Sequence, residues 1–226
     1  MDITAAAACL AGAASQAGND AQQSRTIQAV IFDFGGVLMR TVDYRGRQRW
    51  EKRLGLAPGA LSELVFNSPT AHRATRGEIG AEAVWENVAT TLALDAGQLR
   101  QLQVDFWSGD RLDTELVAYL RGLRPRYKTA VLSNAWRDMR TMLTQELKLN
   151  EAVDALIISA EEGVAKPDVR LYHLAAGRLG VPPTAAVLVD DFIENVAGAR
   201  AAGMAAIHFR EREQALAELE QLLDHG

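Results

Sequence analysis

Short apolar runs separated by helical patterns constrain this chain more than any other feature of it. Five runs occur, at 27–32 (IQAVIF), 128–132 (KTAVL), 155–159 (ALIIS), 186–189 (AVLV) and 205–209 (AAIHF). They are continuous rather than alternating, as expected of strands whose two faces are both covered. Between them, residues 112–123 bring Leu112, Leu116, Ala118, Leu120 and Leu123 near one helical face. Residues 169–179 do the same with Leu171, Leu174, Ala175 and Leu179, and Gly180 ends the pattern. Strand alternating with helix predicts right-handed crossovers and a doubly wound, parallel α/β sheet. Sheets of this kind carry their sites at the carboxyl ends of the strands.

The stretch 43–111 breaks the rhythm. It shows helical periodicity at 61–66, 81–92 and 97–106 and no convincing strand. We read it as an α-helical insert after the first strand, with 25–42 and 112–226 forming the α/β core and an amphipathic helix at 211–222 near its end. A length of 226 residues suits one domain with an insert. With 24 Lys+Arg against 29 Asp+Glu the net charge is −5, which argues against a nucleic-acid partner. A single cysteine, Cys9, permits no internal disulfide and fits a reducing, cytoplasmic setting. No apolar run reaches the roughly 18 residues of a membrane span. Residues 1–24, rich in Ala and carrying Asp2 where a secretory signal is basic, read as a flexible tail.

Four places combine a strand end or tight turn with chemistry-bearing residues. The first strand runs into Asp33-Phe34-Gly35-Gly36, a carboxylate at the sheet mouth followed by glycines whose amides can approach a ligand closely; an Asx turn is the alternative. The second ends at Ser133-Asn134, where a hydroxyl suits a phosphate oxygen or caps a following helix. After the third comes Lys166-Pro167, a lysine that either neutralises phosphate charge or faces solvent. The fourth ends in Asp190-Asp191, with Asn195 beyond. Adjacent carboxylates repel and are best tolerated around a cation, and hard oxygen donors suit Mg²⁺; a charged turn is the alternative.

In this order, FDFGGVL, LSNAW, ISAEEGVAKPDVRLYHLAAGRLGV and VLVDDFIENVAGARAAGM resemble the haloacid dehalogenase-like superfamily of hydrolases. The resemblance runs from about Thr26 to Phe209 and points to the branch holding the phosphatase-like half of soluble epoxide hydrolases and small sugar-phosphate phosphatases. It implies a Rossmann-like core with a small helical cap, to which Arg76-Gly77-Glu78-Ile79 and Trp85 are similar. It also implies a Mg²⁺-dependent phosphatase acting on a small phosphorylated metabolite such as a sugar phosphate, as a monomer or homodimer with no membrane partner. Asp33 would be the nucleophile that forms an aspartyl-phosphate. Asp33, Asp191, the Gly35 carbonyl and Asp190 would hold the metal. Ser133 and Lys166 would grip the transferring oxygens, with Gly35, Gly36 and Asn134 lining the phosphate site and Asn195 orienting Asp191 or holding the loop.

One departure stands out: Gly35 replaces the second Asp that family phosphatases use as general acid and base. Its absence slows poor leaving groups most, which favours anomeric or acyl phosphates. Two alternatives follow. One is a weak or inactive phosphate-binding protein of the same fold. The other is a metal-independent 2-haloacid dehalogenase, which has no need of Asp190-Asp191. Arg40, Arg45, Arg47 and Arg49, with Tyr44 and Trp50 among them, stand at the entrance of the insert as substrate contacts or a solvated basic face. Trp85 and Trp107 read as core of the insert. His72, His173 and His208 lack metal-ligand spacing, and His208 reads as packed.

Overall fold

The computed structural model describes residues 26–224, so the expected tail at 1–24 lies outside the described residues. The main sheet has five parallel strands: β1 (Ala29–Phe32), β4 (Lys128–Ser133), β5 (Ala155–Ile158), β6 (Ala186–Asp190) and β7 (Ala205–His208), in the order β5-β4-β1-β6-β7. β1 lies at the centre, with Ala29 level with Lys128 on one side and Ala186 on the other. The chain winds outward in one direction through β4 and β5 and in the other through β6 and β7. The crevice at this reversal opens beyond the carboxyl ends of β4, β1 and β6.

Alternate residues of the strands feed two separate cores. Val30, Phe32, Val131, Val187 and Val189 pack on one face with Leu116 and Leu120 of α6 (Thr114–Leu123) and Leu219 and Leu223 of α11 (Arg212–Asp224). Ala29, Ile31, Ala130, Leu132, Ala186 and Leu188 pack on the other. There they meet Leu171, Tyr172, Ala175 and Leu179 of α9 (Val169–Leu179), and Ala199 of α10 (Ile193–Ala201). Every residue of β1 is fully buried, which is why its sequence is an unbroken apolar run. The expected doubly wound α/β architecture is therefore present.

Between β1 and β4 lies a helical unit: α1 (Arg45–Leu54), α2 (Ala60–Asn67), α3 (Pro69–Thr75), α4 (Ala81–Thr91) and α5 (Ala96–Trp107). It has its own core of Trp50, Leu61, Val65, Trp85, Val88, Leu102 and Phe106. Trp85 meets Phe106 edge-on at 5.8 Å within this core, whereas Trp107, expected in the core as well, stays 38% exposed and lies against the cluster's edge, 4.8 Å from the Phe106 ring. The unit is entered and left through a ribbon that sequence patterning did not disclose, in which β2 (Met39–Thr41) pairs antiparallel with β3 (Asp110–Leu112). Leu112 thus ends a strand rather than opening a helix. Asp113 caps α6 by accepting from the Leu116 amide at 3.0 Å, and α6 starts at Thr114. After β4 the chain passes a single turn, α7 (Met139–Thr141), that runs on as a π-helix, and after β5 a short α8 (Ser159–Glu162). No described helix is long and apolar enough to cross a membrane.

Candidate active site

Asp33 is the first residue past the central strand, and its backbone amide donates to the Val189 carbonyl of β6 at 2.9 Å. The carboxylate is therefore carried on the most rigid part of the sheet, at the winding reversal. Asp190 ends β6, Asp191 follows it, and one oxygen of each of Asp33, Asp190 and Asp191 lies within 4.8 Å of the others. Lys166 reaches this cluster from the loop before α9. Its Nζ lies 2.8 Å from Asp33 Oδ1 and 2.6 Å from Asp190 Oδ2, with the lysine side chain 1% exposed. Solvent exposure, the alternative for this lysine, does not hold. Four residues from three distant parts of the sequence thus converge on one spot.

The two neighbouring aspartates differ in how they are held. Asp190 is saturated: Oδ2 takes Lys166, while Oδ1 accepts from the Phe192 amide and from Asn195 Nδ2, each at 2.9 Å. Asn195 accordingly orients Asp190, and the expectation that it holds Asp191 is corrected. It is itself pinned by the Tyr172 hydroxyl, which donates to the Asn195 carbonyl at 2.8 Å. Asp191 is the reverse case. Its Oδ1 is buried and has no hydrogen-bond partner, and its backbone carbonyl meets His208 Nε2 at 3.0 Å. A buried carboxylate oxygen left unpaired is costly unless a cation satisfies it.

Electrostatics follow from this crowding. Burial pushes the Asp33 carboxyl up to about 7; Lys166 pulls it back, and Asp190 and Asp191 add to the rise. Burial likewise raises Asp191 to about 6, with Asp190 contributing. For Lys166, burial works against the ammonium, but the Asp33 and Asp190 carboxylates outweigh it and hold its pKa above the ordinary value.

The glycines are not equivalent. Gly36 has φ +81°, and a β-carbon there would lie 2.0 Å from Asp191 Oδ2, so only glycine lets the backbone pass beneath that carboxylate. Gly35 has neither restriction: a β-carbon on it would meet nothing within 4 Å. Ser133, at the end of β4, is buried, and no helix follows directly for it to cap. Asn134 exchanges two hydrogen bonds with the Lys166 backbone, Nδ2 to O at 2.9 Å and N to Oδ1 at 2.8 Å, and so fixes the segment that delivers the lysine.

The basic cluster at the insert entrance is fully occupied with partners. Arg40 pairs with Asp113, Arg45 with Asp43, Arg47 with Asp110 and Arg49 with Asp105, while Trp50 Nε1 donates to Asp105. Arg47 is buried, lies 4.0 Å above the Phe106 ring and donates to the Phe106 carbonyl. Arg47 ties α1 to β3, whereas Arg45 and Arg49 keep side chains 80% and 65% exposed, as in the solvated face that was the alternative to substrate contact. Sequence reasoning passed over Tyr172, Ser159 and Trp136. Trp136 stands within the LSNAW segment itself, where an aromatic so soon after a strand end was the available signal.

The model of the haloacid dehalogenase-like hydrolases matches residues 27–203, and the chain belongs to that family. It is 26% identical to the sesquiterpene phosphatase astK of Aspergillus oryzae, over 88% of this chain and 97% of that protein. It is 27% identical to the pyrimidine 5'-nucleotidase YjjG of Escherichia coli, over 62% of this chain and 69% of that one. It is 28% identical to bifunctional epoxide hydrolase 2 of Sus scrofa, over 87% of this chain but only 39% of the length of that protein. Among solved structures, a HAD family enzyme of Bacteroides thetaiotaomicron, complexed with magnesium and inorganic phosphate, shares the fold. Its TM-score is 0.65 at 18% identity, covering 80% of this chain and 93% of that one. The L-2-haloacid dehalogenase of Xanthobacter autotrophicus is similar at TM-score 0.60 and 25% identity, covering 85% and 82%. The chain is a hydrolase with phosphatases among its relatives.

Proposed function

We propose that this hydrolase is a Mg²⁺-dependent phosphatase that transfers the phosphoryl group of a small metabolite to Asp33 and then to water. The unpaired, buried Oδ1 of Asp191 beside two further carboxylates carries this reading. A dehalogenase expelling halide has no use for such a cluster, whereas a phosphatase must collect positive charge against a phosphate dianion. The donor set is all hard oxygen, which fits Mg²⁺. Asp33, Asp191 and the Gly35 carbonyl would hold the ion directly, with Asp190 beside them. When bound, it supplies charge that draws the phosphoryl oxygens toward the carboxylates.

The remaining steps belong to the chain's own side chains. Lys166 favours the ionised form of Asp33 against its burial and adds positive charge beside it. An Asp33 oxygen attacks phosphorus, the phosphorus–oxygen bond to the alcohol breaks, and the alcohol takes a proton from solvent. Ser133 donates to a phosphoryl oxygen, Asn134 steadies Lys166, and Gly36 leaves room for Asp191. Water then attacks the aspartyl-phosphate, releasing inorganic phosphate and restoring Asp33. The helical unit 43–111 acts as the cap that excludes bulk water. The test is a phosphate-release screen over sugar, nucleotide, prenyl and acyl phosphates, with Mg²⁺ and with a chelator. Release that depends on Mg²⁺ supports the proposal. Phosphate binding without release on any substrate would make the protein a binder instead.

Gly35→Asp tests the missing acid. The open space around this position admits a side chain, so the fold should be retained. Hydrolysis of alkyl phosphates should rise by up to about 10²-fold, with little gain on acyl phosphates, whose leaving groups need no proton. An equal change on both series would mean that no acid is lacking.

Metal and protons should compete. The folded carboxyls of Asp33 and Asp191, at about 7 and about 6, lie above the ordinary 3.8. The metal-free folded state therefore binds more protons than the unfolded chain between roughly pH 4 and 7, and its stability falls as pH rises through that window. Mg²⁺ should restore it, raising Tm more at pH 8 than at pH 5. A hundredfold excess over Kd is worth about 2.7 kcal/mol, roughly 5–10 °C for a chain of this size. Calorimetric scans at the two pH values check this, and an equal shift at both would remove these carboxylates from the metal site.

A further inference from the structure

We infer that Ser159 is a positioning residue that ties the Ser133–Asn134 loop to the helical unit, so that the seating of that unit sets the grip on the phosphoryl group. Ser159 begins α8 in the core and is fully buried. Its single hydroxyl serves both bodies. It accepts from the Ala135 amide at 3.0 Å and donates to the Thr75 carbonyl at the end of α3 at 2.7 Å. Gly77, two residues past Thr75, lies so close that a β-carbon would stand 2.0 Å from the Ala160 carbonyl. Trp136, adjacent to Ala135, packs on the hydrophobic clusters of the helical unit and meets Trp85 edge-on at 6.2 Å.

On its other side the same loop is bonded through Asn134 to the Lys166 backbone, and Lys166 Nζ sits between Asp33 and Asp190. A contiguous path of polar contacts and covalent links therefore runs from Thr75 through Ser159, Ala135, Asn134 and the Lys166 backbone and side chain to Asp33. The helical unit is joined to the core covalently by the β2–β3 ribbon and again here, beyond β4 and β5. Rotation about the ribbon alone would break the Ser159 and Trp136 contacts. A displacement of the helical unit therefore either carries the loop holding Ser133 with it or frees that loop from its tie through Ser159.

This inference rests on the phosphoryl-transfer reading, and its test separates the two. Binding of inorganic phosphate in the presence of Mg²⁺ is measured by calorimetry for wild type, Ser159→Ala, Trp136→Ala and Trp136→Phe. KM and kcat for p-nitrophenyl phosphate are measured alongside. Loss of one buried hydrogen-bond partner should weaken phosphate binding and raise KM about tenfold in Ser159→Ala, with a smaller change in kcat. Trp136→Ala should behave alike and Trp136→Phe should restore most of the affinity, which keeps the test intact where Ser159→Ala does not fold. Wild-type affinity and KM in folded Ser159→Ala or in Trp136→Ala, with only Tm reduced, would make these contacts a structural clip and overturn the inference alone. Phosphate that fails to bind the wild-type protein would overturn both readings.

Discussion

Asp33→Asn is expected to lower phosphate release by about 10⁴-fold or more while leaving the fold intact. The amide keeps the volume of the carboxylate and an oxygen for the Phe34 amide, which Asp33 Oδ1 accepts at 2.6 Å. What it loses is the negative charge and the nucleophilic oxygen pair. Stability should change little, because burial has already raised the Asp33 carboxyl to about 7, so near neutrality the metal-free protein carries it partly protonated. At pH 8 the substitution removes a charge whose burial, aided by Asp190 and Asp191, outweighs the attraction of Lys166, and should raise metal-free Tm slightly. Phosphate-release kinetics and thermal scans on the purified variant check both halves. Mass spectrometry of quenched wild-type turnover should find the phosphoryl group on Asp33. Retention of more than about a tenth of wild-type turnover would eliminate Asp33 as nucleophile.

The sequence disclosed this site wherever a chemical residue sat at the end of a buried strand. Asp33 and Asp190 were legible because the apolar runs before them could only be covered strands, and a charge at such a terminus has one place to go. Register and strand order were not legible, since nothing local tells β1 that its neighbours are β4 and β6. Lys166 was ambiguous for a related reason. GVAKPD is a polar turn with no periodicity, and the burial of the lysine is created by Asp33 and Asp190, which lie 133 and 24 positions away in the chain.

The β2–β3 ribbon escaped notice because strands of three residues, MRT and DRL, carry no alternation that could announce them. The arginines were ambiguous for the opposite reason. Four basic residues within ten positions invite a ligand, yet Asp105, Asp110 and Asp113, which pair with three of them, come more than fifty residues later. Long-range pairing is a property of the fold, and local charge counts do not contain it. Asn195 went to the wrong aspartate because its place on α10 cannot discriminate between adjacent residues at a strand end; only the direction of the Asp190 side chain decides.

Lys166→Met should be the most damaging single change to both stability and activity. The lysine side chain is 1% exposed, and its partners Asp33 and Asp190 are 8% and 0% exposed, so solvent screens their charges little. Removing one member of a buried ionic cluster leaves uncompensated charge and costs about 3–5 kcal/mol, or roughly 10 °C in Tm for a chain of this length. The sign with pH is specific. In the wild type the Lys166 pKa is raised, so its stabilising contribution is complete below the ordinary value of 10.5 and is lost only as pH climbs through the raised one. In the variant, Asp33 loses the cation that lowered its pKa and retains a proton to higher pH. The Tm deficit should therefore be smaller at pH 5 than at pH 8, where Asp33 must ionise without its cation. Catalysis should fail at every pH: at acid pH the protonated Asp33 that rescues the fold is no nucleophile, and at pH 8 the phosphoryl group no longer meets the Lys166 charge. Thermal scans and phosphate release across pH 5–8 separate these effects, and a Tm deficit that grows toward acid pH would show that Lys166 does not hold the cluster together.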